Sequence, residues 1–115
     1  MSFSGELEKK VDKSNYSFFE KRVWKALLRI PKGKVTTYGI LAGVVGNVKC
    51  ARAVGNACNK NPFSPFVPCH RVVKSDGKLG GFSSGLEKKK KLLRKEGVCW
   101  NDVGKIDLER FGFLG

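Results

Sequence analysis

The chain has 115 residues, of which 23 are lysine or arginine and 10 are aspartate or glutamate, and its formal net charge is +13. This length fits one compact domain, and no stretch approaches the roughly 18 consecutive apolar residues that a membrane helix requires. Residues 1–6 also lack the basic and apolar blocks of a secretory signal. The charge indicates a polyanionic partner such as nucleic acid, although lysines that serve only solubility give the same total.

Residues 1–15 are polar with little periodicity, and we expect a lead-in segment there, either mobile or folded as an edge hairpin. The domain proper is predicted over residues 16–115. Its first helix is predicted from about Asn15 to Ile30, because apolar residues recur there at helical spacing. These residues are Phe19, Val23, Ala26, Leu27 and Ile30.

Two short helices are predicted next. Thr37 can cap the first, which runs through Val45 and is closed by Gly46, and Asn47 can cap the second, which runs through Ala57. Two short helices joined by a tight turn are a candidate helix-turn-helix.

The second helix of this pair has a basic face and a thin body. Lys49, Arg52, Asn56 and Lys60 lie opposite its apolar side, and its small residues are Ala51, Ala53, Gly55 and Ala57. A thin basic helix can lie close to DNA in a groove. Small residues also serve close helix packing, and the pattern leaves both interpretations open.

Prolines punctuate residues 61–68, which are therefore predicted to run extended into Cys69 and His70. Val72-Val73 is strand-like, Asp76-Gly77 indicates a turn, and the glycines at 80 and 81 permit close backbone approach or positive φ.

A last helix is predicted from about Leu86 to Lys95, capped by Ser83 or Ser84 and ended by Gly97. Its buried side is predicted to hold Leu86, Leu92 and Leu93. The run of lysines at 88–91 is interpreted as a solvated patch or a nonspecific phosphate contact, and the tail from residue 98 as a short extended piece on the core.

Cys69 beside His70 in a basic chain is a candidate activated nucleophile, since positive surroundings and a nearby base favour the thiolate. A structural cysteine is the alternative. The other cysteines, Cys50, Cys58 and Cys99, form no CxxC pair, and His70 is the only histidine, so no zinc pattern is present. Reduced thiols are expected, with Cys50 and Cys99 in the core.

The run Pro68-Cys69-His70-Arg71-Val72 resembles the active-site signature of the O6-alkylguanine-DNA alkyltransferases. The likeness spans about residues 17–113 and includes four further blocks and a dipeptide, namely 35–39, 52–57, 79–83, 92–97 and Asn61-Pro62. It implies a mainly α fold with short strands, namely a winged-helix-like carboxyl-terminal domain containing a helix-turn-helix.

The resemblance implies direct repair of O6-alkylguanine in double-stranded DNA by transfer of the alkyl group to the protein. Cys69 would accept the group, His70 would take its proton through a water molecule, and Glu96 would orient the imidazole. Asn61 would tie the recognition helix to the cysteine segment. No cofactor or metal is implied, and each molecule would act once because a thioether resists hydrolysis.

The same resemblance implies a flipped base held in a pocket. Arg52 would fill the space that the base leaves, and Tyr38 would crowd a phosphate and donate a hydrogen bond to the purine. The recognition helix would enter the minor groove, with Ala51, Lys49 and Asn56 on its DNA side. The backbone at Cys69 and Val72 would read the guanine amine; the other expected pocket residues are Cys58, Gly80, Phe82 and Ser83.

Several departures leave the substrate range open. Phe82 stands where some relatives have tyrosine, Cys58 stands where a longer side chain can occur, and only about fifteen residues precede the motifs. O4-alkylthymine is a further possible substrate. We expect a monomer, located in the cytoplasm of a prokaryote or archaeon or in the nucleus of a eukaryote. The alternatives are an alkyltransferase-like protein that flags lesions without transfer, and a plain helix-turn-helix module.

Overall fold

The computed structural model describes residues 3–46, 48–82 and 85–113 and is mainly helical, as predicted. In chain order its elements are α1 (Phe3–Lys13), α2 (Phe18–Leu27), β1 (Thr36–Thr37), α3 (Tyr38–Val45), α4 (Ala51–Lys60), β2 (Val72–Val73), α5 (Leu86–Lys95) and α6 (Leu108–Phe111). Single turns of 3₁₀ helix lie at Val48–Cys50 and Cys69–Arg71. Within the described residues, no helix is both long and apolar enough to span a bilayer.

The amino-terminal segment is a helix, so the prediction of a mobile lead-in or hairpin was wrong. Leu7 and Val11, four residues apart, form a buried stripe on α1, which packs on α2. Asp12 also accepts a salt bridge from Lys25 at 3.0 Å. Two apolar residues are too few to indicate a helix by their spacing. The helix forms because their burial against α2 stabilises it.

α2 is shorter than predicted because Ser17 forms a capping box with Glu20 and so sets the first turn at Phe18. The cap of α3 is as predicted: the Thr37 hydroxyl accepts from the Ile40 amide at 3.1 Å, and Gly46 follows the last turn. Asn47, the predicted cap of the next helix, lies outside the described residues. The residue before α4 is Cys50, which makes no side-chain capping bond.

α3 and α4 pack on each other and on α2, an arrangement consistent with the predicted helix-turn-helix. The Trp24 indole of α2 donates to the Ala57 carbonyl of α4 at 2.9 Å and fastens the two helices. β1 and β2 pair in parallel, with Thr36 opposite Val72 and Thr37 opposite Val73. The sheet therefore joins the start of α3 to the segment that follows Cys69.

The core has two parts. The first lies among α1 to α4 and includes Cys58, Cys69 and Val72; the second holds Val73, Leu93 and residues of the carboxyl-terminal segment. That segment was predicted to be extended, but it contains α6, capped by the Asp107 side chain. The backbone of this segment is hydrogen-bonded to Val35, whose amide donates to the Phe111 carbonyl at 2.8 Å.

The boundaries of α5 match the prediction, but its buried face does not. Leu93 is buried, whereas Leu86 is 43% exposed and Lys89 is fully buried. Ser83 and Ser84, the predicted caps, lie outside the described residues, and Gly85 precedes the helix with φ near 98° and no side-chain bond. Gly97, with φ near 87°, closes it, as predicted: its amide donates to Arg94, and the Val98 amide donates to Leu93.

Candidate functional site around Cys69

Cys69 lies in the first part of the core, on the 3₁₀ turn that precedes β2. Its residue exposure is 3% and that of His70 is 1%. Val72, which the resemblance places in the pocket, is buried on the adjoining strand. A short turn followed by a strand therefore holds the three residues against the first core cluster.

The segment before Cys69 is a closed loop, so the prediction of an extended run over residues 61–68 was wrong. The Asn61 amide donates to the Val67 carbonyl at 2.7 Å, and its oxygen accepts from the Phe63 amide at 2.9 Å. The prolines prevent a helix, but these two bonds curl the loop. Asn61 thus joins the end of α4 to the residue two before Cys69.

His70, Arg71 and Glu96 form a connected charged set. His70 Nε2 lies 3.0 Å from Glu96 Oε2, while Arg71 donates to both oxygens of the same carboxylate, at 2.9 Å and 2.7 Å. Burial alone would raise the pKa of Glu96, but the hydrogen bonds from His70 and Arg71 hold it at about 2. The carboxylate is therefore ionised, and the His70 proton lies on Nε2, toward it.

The second ring nitrogen of His70 is also buried. Nδ1 has no hydrogen-bond partner among the described residues. With Nε2 donating to Glu96, Nδ1 carries the lone pair and is the nitrogen that can accept a proton.

Tyr38, the first residue of α3, forms one wall beside Cys69. A Cβ added to Gly55 of α4 would lie 3.9 Å from its ring, and one added to Gly80 would lie 3.6 Å from it. Gly80 has φ near 74°, as its predicted backbone freedom requires. Burial, with the Cys58 and Cys69 thiols nearby, raises the pKa of Tyr38 to about 12, which keeps its phenol a hydrogen-bond donor.

Cys58 and Lys89 also lie near Cys69, close enough for the three groups to interact electrostatically. Burial raises the pKa of Cys58 to about 12, and Cys69 adds to the rise, so Cys58 is a neutral thiol. The Lys89 ammonium donates to the carbonyls of Val72 at 2.7 Å and Gly81 at 3.2 Å. The interpretation of residues 88–91 as one solvated patch was therefore wrong for Lys89.

The outer face of α4 is as basic as predicted. Lys49, Arg52, Asn56 and Lys60 are exposed, and Ala51 is half-buried. Lys60 lies 3.7 Å from the carboxylate of Glu20. The face is thus available to a large ligand, beside the wall that Tyr38 forms.

The remaining expected residues are placed as follows. Phe82 is half-buried against the first core cluster, with Cys58 buried in it, and Ser83 lies outside the described residues. All four cysteines, each within the described chain, are unpaired. Cys99 is exposed and Cys50 half-buried, so placing Cys99 in the core was wrong. Its neighbours Val98 and Trp100 are the side chains that pack inward from this segment, and Cys99 between them faces solvent.

Three residues near the site were not singled out from the sequence. Arg71 is part of the quoted motif, so its charge next to His70 was a usable signal. No sequence signal indicated Ser64, whose hydroxyl lies 3.9 Å from Cys69 Sγ. Lys89 was hidden inside a run of four lysines, where only its spacing four residues before Leu93 pointed inward.

Comparison with known proteins gives a consistent result. Residues 18–98 match the family model described as the 6-O-methylguanine DNA methyltransferase, DNA binding domain. A methylated-DNA--protein-cysteine methyltransferase of Methanosarcina acetivorans is 53% identical over 81 residues, which is 70% of this chain and 52% of that protein. The chain spans about half the length of the curated methyltransferases it matches.

Solved structures agree. The chain resembles the Mycobacterium tuberculosis OGT in complex with DNA, with a TM-score of 0.70 and 46% identity over 72% of this chain and 51% of that one. It also resembles the S. pombe Atl1 in complex with DNA containing O6-carboxymethylguanine, with a TM-score of 0.73 and 32% identity over 87% and 98% of the two chains. Since the family model covers more than half of its residues, this chain belongs to the 6-O-methylguanine DNA methyltransferase DNA-binding-domain family.

Proposed function

We propose that this chain repairs DNA by moving the alkyl group of O6-alkylguanine to its own Cys69, once per molecule. The observation that carries the proposal is the buried His70, the residue directly after Cys69: its Nε2 lies 3.0 Å from the Glu96 carboxylate, which leaves Nδ1 available as a base. Family membership and the relatives named methylated-DNA--protein-cysteine methyltransferase support it.

The reaction begins with loss of the Cys69 proton. Glu96, ionised and held by Arg71, keeps the His70 proton on Nε2, so that Nδ1 receives the thiol proton through a water molecule. The thiolate then attacks the alkyl carbon; a carbon–sulfur bond forms while the carbon–oxygen bond to the purine breaks, and its electron pair goes to the base. The products are a thioether and, once the base has taken up the proton that left Cys69, guanine.

Hydrogen-bond donation to the purine makes it a better leaving group. Tyr38 suits this task because its raised pKa of about 12 keeps the phenol protonated. Ser83 is proposed, from the resemblance alone, to donate to the alkylated oxygen. Cys58, Gly80 and Phe82 would line the pocket, and the carbonyls of Cys69 and Val72 would accept from the guanine amine.

Access to Cys69 requires a flipped nucleotide, because a stacked base cannot present its alkyl group to a buried thiol. Exposed Arg52 at the start of α4 would take the place of the base, and Lys49, Asn56 and Ala51 would lie along the minor groove. The repair would take place wherever the DNA lies: the cytoplasm in archaea and bacteria such as the relatives, or the nucleus in a eukaryote.

The test is the intact mass of the full chain after incubation with duplex DNA containing one O6-methylguanine. We expect a gain equal to one methylene group, located on the Cys69 peptide, and no gain for Cys69→Ala. Cys99→Ala is the matched control, because its exposed thiol lies outside the site, and it should gain the same mass. Methylation that persists in Cys69→Ala would contradict the assignment.

The second candidate is lesion recognition without transfer. The near-complete coverage of the S. pombe Atl1 chain by this one favours it, whereas the retained Cys69 favours the transferase. Tight binding of the O6-methylguanine duplex without any gain in mass would select this alternative.

A further inference from the structure

Lys89 is the least exposed charged residue among the described part of the chain, at 0%. It lies on the inner face of α5, one turn before buried Leu93. Burial of an ammonium is costly unless its donors are used, and lysine is among the residues most rarely found fully buried. The buried ammonium therefore needs hydrogen-bond acceptors in the protein that replace water.

The two contacts of the ammonium join opposite sides of the site. Val72, whose carbonyl accepts at 2.7 Å, belongs to β2 and lies three residues after Cys69. Gly81, whose carbonyl accepts at 3.2 Å, follows Gly80 in the loop that contacts Tyr38. One side chain thus holds the loop at a set distance from the cysteine turn.

The charge of Lys89 also acts on the thiols. The titratable groups that interact with the ammonium are Cys58 and Cys69, and a negative charge on either sulfur favours the charged form of Lys89. The interaction is reciprocal, so the ammonium favours the thiolates. Burial lowers the pKa of Lys89 to about 8, and the side chain is still mostly protonated at pH 7.

We infer that Lys89 is a positioning residue for the acceptor: its ammonium holds the Val72 and Gly81 carbonyls together and stabilises the thiolate of Cys69. The inference rests on the proposed function for its biological meaning, since the same Val72 carbonyl is proposed to accept from the guanine amine. The effect of Lys89 on Cys69 is a property of the free protein and can be measured without DNA.

The experiment measures alkylation of Cys69 by iodoacetamide in the full chain, followed by mass spectrometry of the Cys69 peptide. At pH 7 we expect Lys89→Met to react about threefold more slowly, because the Cys69 sulfur loses a nearby positive charge and the Val72 and Gly81 carbonyls lose their shared donor. At pH 10 the rates should converge, since Lys89 of the wild type is then neutral and the variant has no ammonium at this position. Lys89→Arg, which keeps the charge, should recover most of the rate.

Lys88→Met is the matched control: it removes the same charge from an exposed neighbour on α5 and should leave the rate unchanged. An unchanged rate at pH 7 in folded Lys89→Met, or an equal loss at pH 7 and pH 10, would overturn the inference. Because the readout is independent of DNA, failure of methyl transfer would leave it standing.

A second measurement avoids substitution altogether, in case Lys89→Met does not fold. Carbon-13 NMR of lysine-labelled protein follows the Lys89 titration before and after Cys69 is modified by iodoacetamide. Modification removes the thiolate, so the Lys89 midpoint should fall to a lower pH. An unmoved midpoint would show that no charge interaction links the two residues.

Discussion

Glu96 accepts three hydrogen bonds, one from His70 and two from Arg71. Arg71 also donates to the Ile30 carbonyl at 2.7 Å, just beyond the end of α2. The carboxylate is thus held from two sides, and its ionised form is the one that fits. A bidentate arginine restricts the carboxylate more strongly than a single histidine contact does.

Glu96→Gln should lower the free energy of unfolding at pH 7 by about 2 kcal/mol, because Arg71 loses its half-buried counter-charge and the charged hydrogen bonds to it. The folded-state pKa of Glu96, at about 2, lies below its usual value. Its contribution is therefore complete above about pH 5 and is lost as pH falls toward 2. Urea unfolding of both proteins between pH 7 and pH 3 checks this.

Glu109→Gln, which neutralises an exposed acid on α6, is the control and should change the stability little at any pH. A gap between wild type and Glu96→Gln that stays constant down to pH 3 would contradict a stabilising carboxylate. The variant should also slow methyl transfer, since the His70 tautomer is no longer held by a charge.

At the scale of elements, α4 carries two tasks on opposite faces. Val54, Ala57 and Cys58 are buried, and Trp24 of α2 is hydrogen-bonded to its backbone. The other face is exposed and holds Arg52. Because the buried face of α4 is fixed to the core, the exposed face can contact a ligand while the helix stays in place.

Arg52→Ala should reduce repair of duplex O6-methylguanine by about tenfold or more, because refilling the stack offsets an unstacking cost of a few kcal/mol. Reaction with the free base should change by less than about twofold, since no stack is opened. Single-turnover rates with both substrates provide the measurement.

Lys10→Ala is a suitable control for Arg52→Ala: it removes one exposed cation from α1 and should leave both rates unaltered. Equal losses on duplex and free base would count against insertion of Arg52 into the stack.

For the whole molecule, the dominant property is the charge of +13. Residues 16–66, which include α2 to α4, contain nine basic residues and one acid. Exposed cations of this density release counterions when they meet phosphates, so binding weakens as salt rises.

The slope of log K against log salt concentration should become shallower by about one when Lys49 is changed to glutamine, because one phosphate contact is lost. Fluorescence anisotropy on a short duplex between 50 and 200 mM salt, roughly the range over which such slopes are read, measures it. Lys10→Gln on α1 should leave the slope as it is; an equal effect of the two variants would assign the binding to net charge alone.

Local patterns were sufficient for much of the fold. The caps at Thr37, Gly46 and Gly97 act within a few residues and set the bounds of α3 and the end of α5, while β2 follows from the strand-forming pair Val72-Val73. The basic face of α4 was also predicted correctly, because helical spacing alone decides which side chains share an exposed face. Cys69, His70, Glu96 and Asn61 were found through motifs, and the structure brings Glu96 to His70 across 26 positions.

Contacts distant in sequence decided the rest. α1 exists because two apolar side chains find α2, and the loop at 61–68 closes because Asn61 reaches Val67. Lys89 looks like any lysine in its run until α5 packs beside β2 and offers it two carbonyls. The sequence by itself determined the helices α2 to α5 and the reactive pair of Cys69 and His70. Only tertiary structure decided which charges are buried, because burial depends on what other elements place around a side chain.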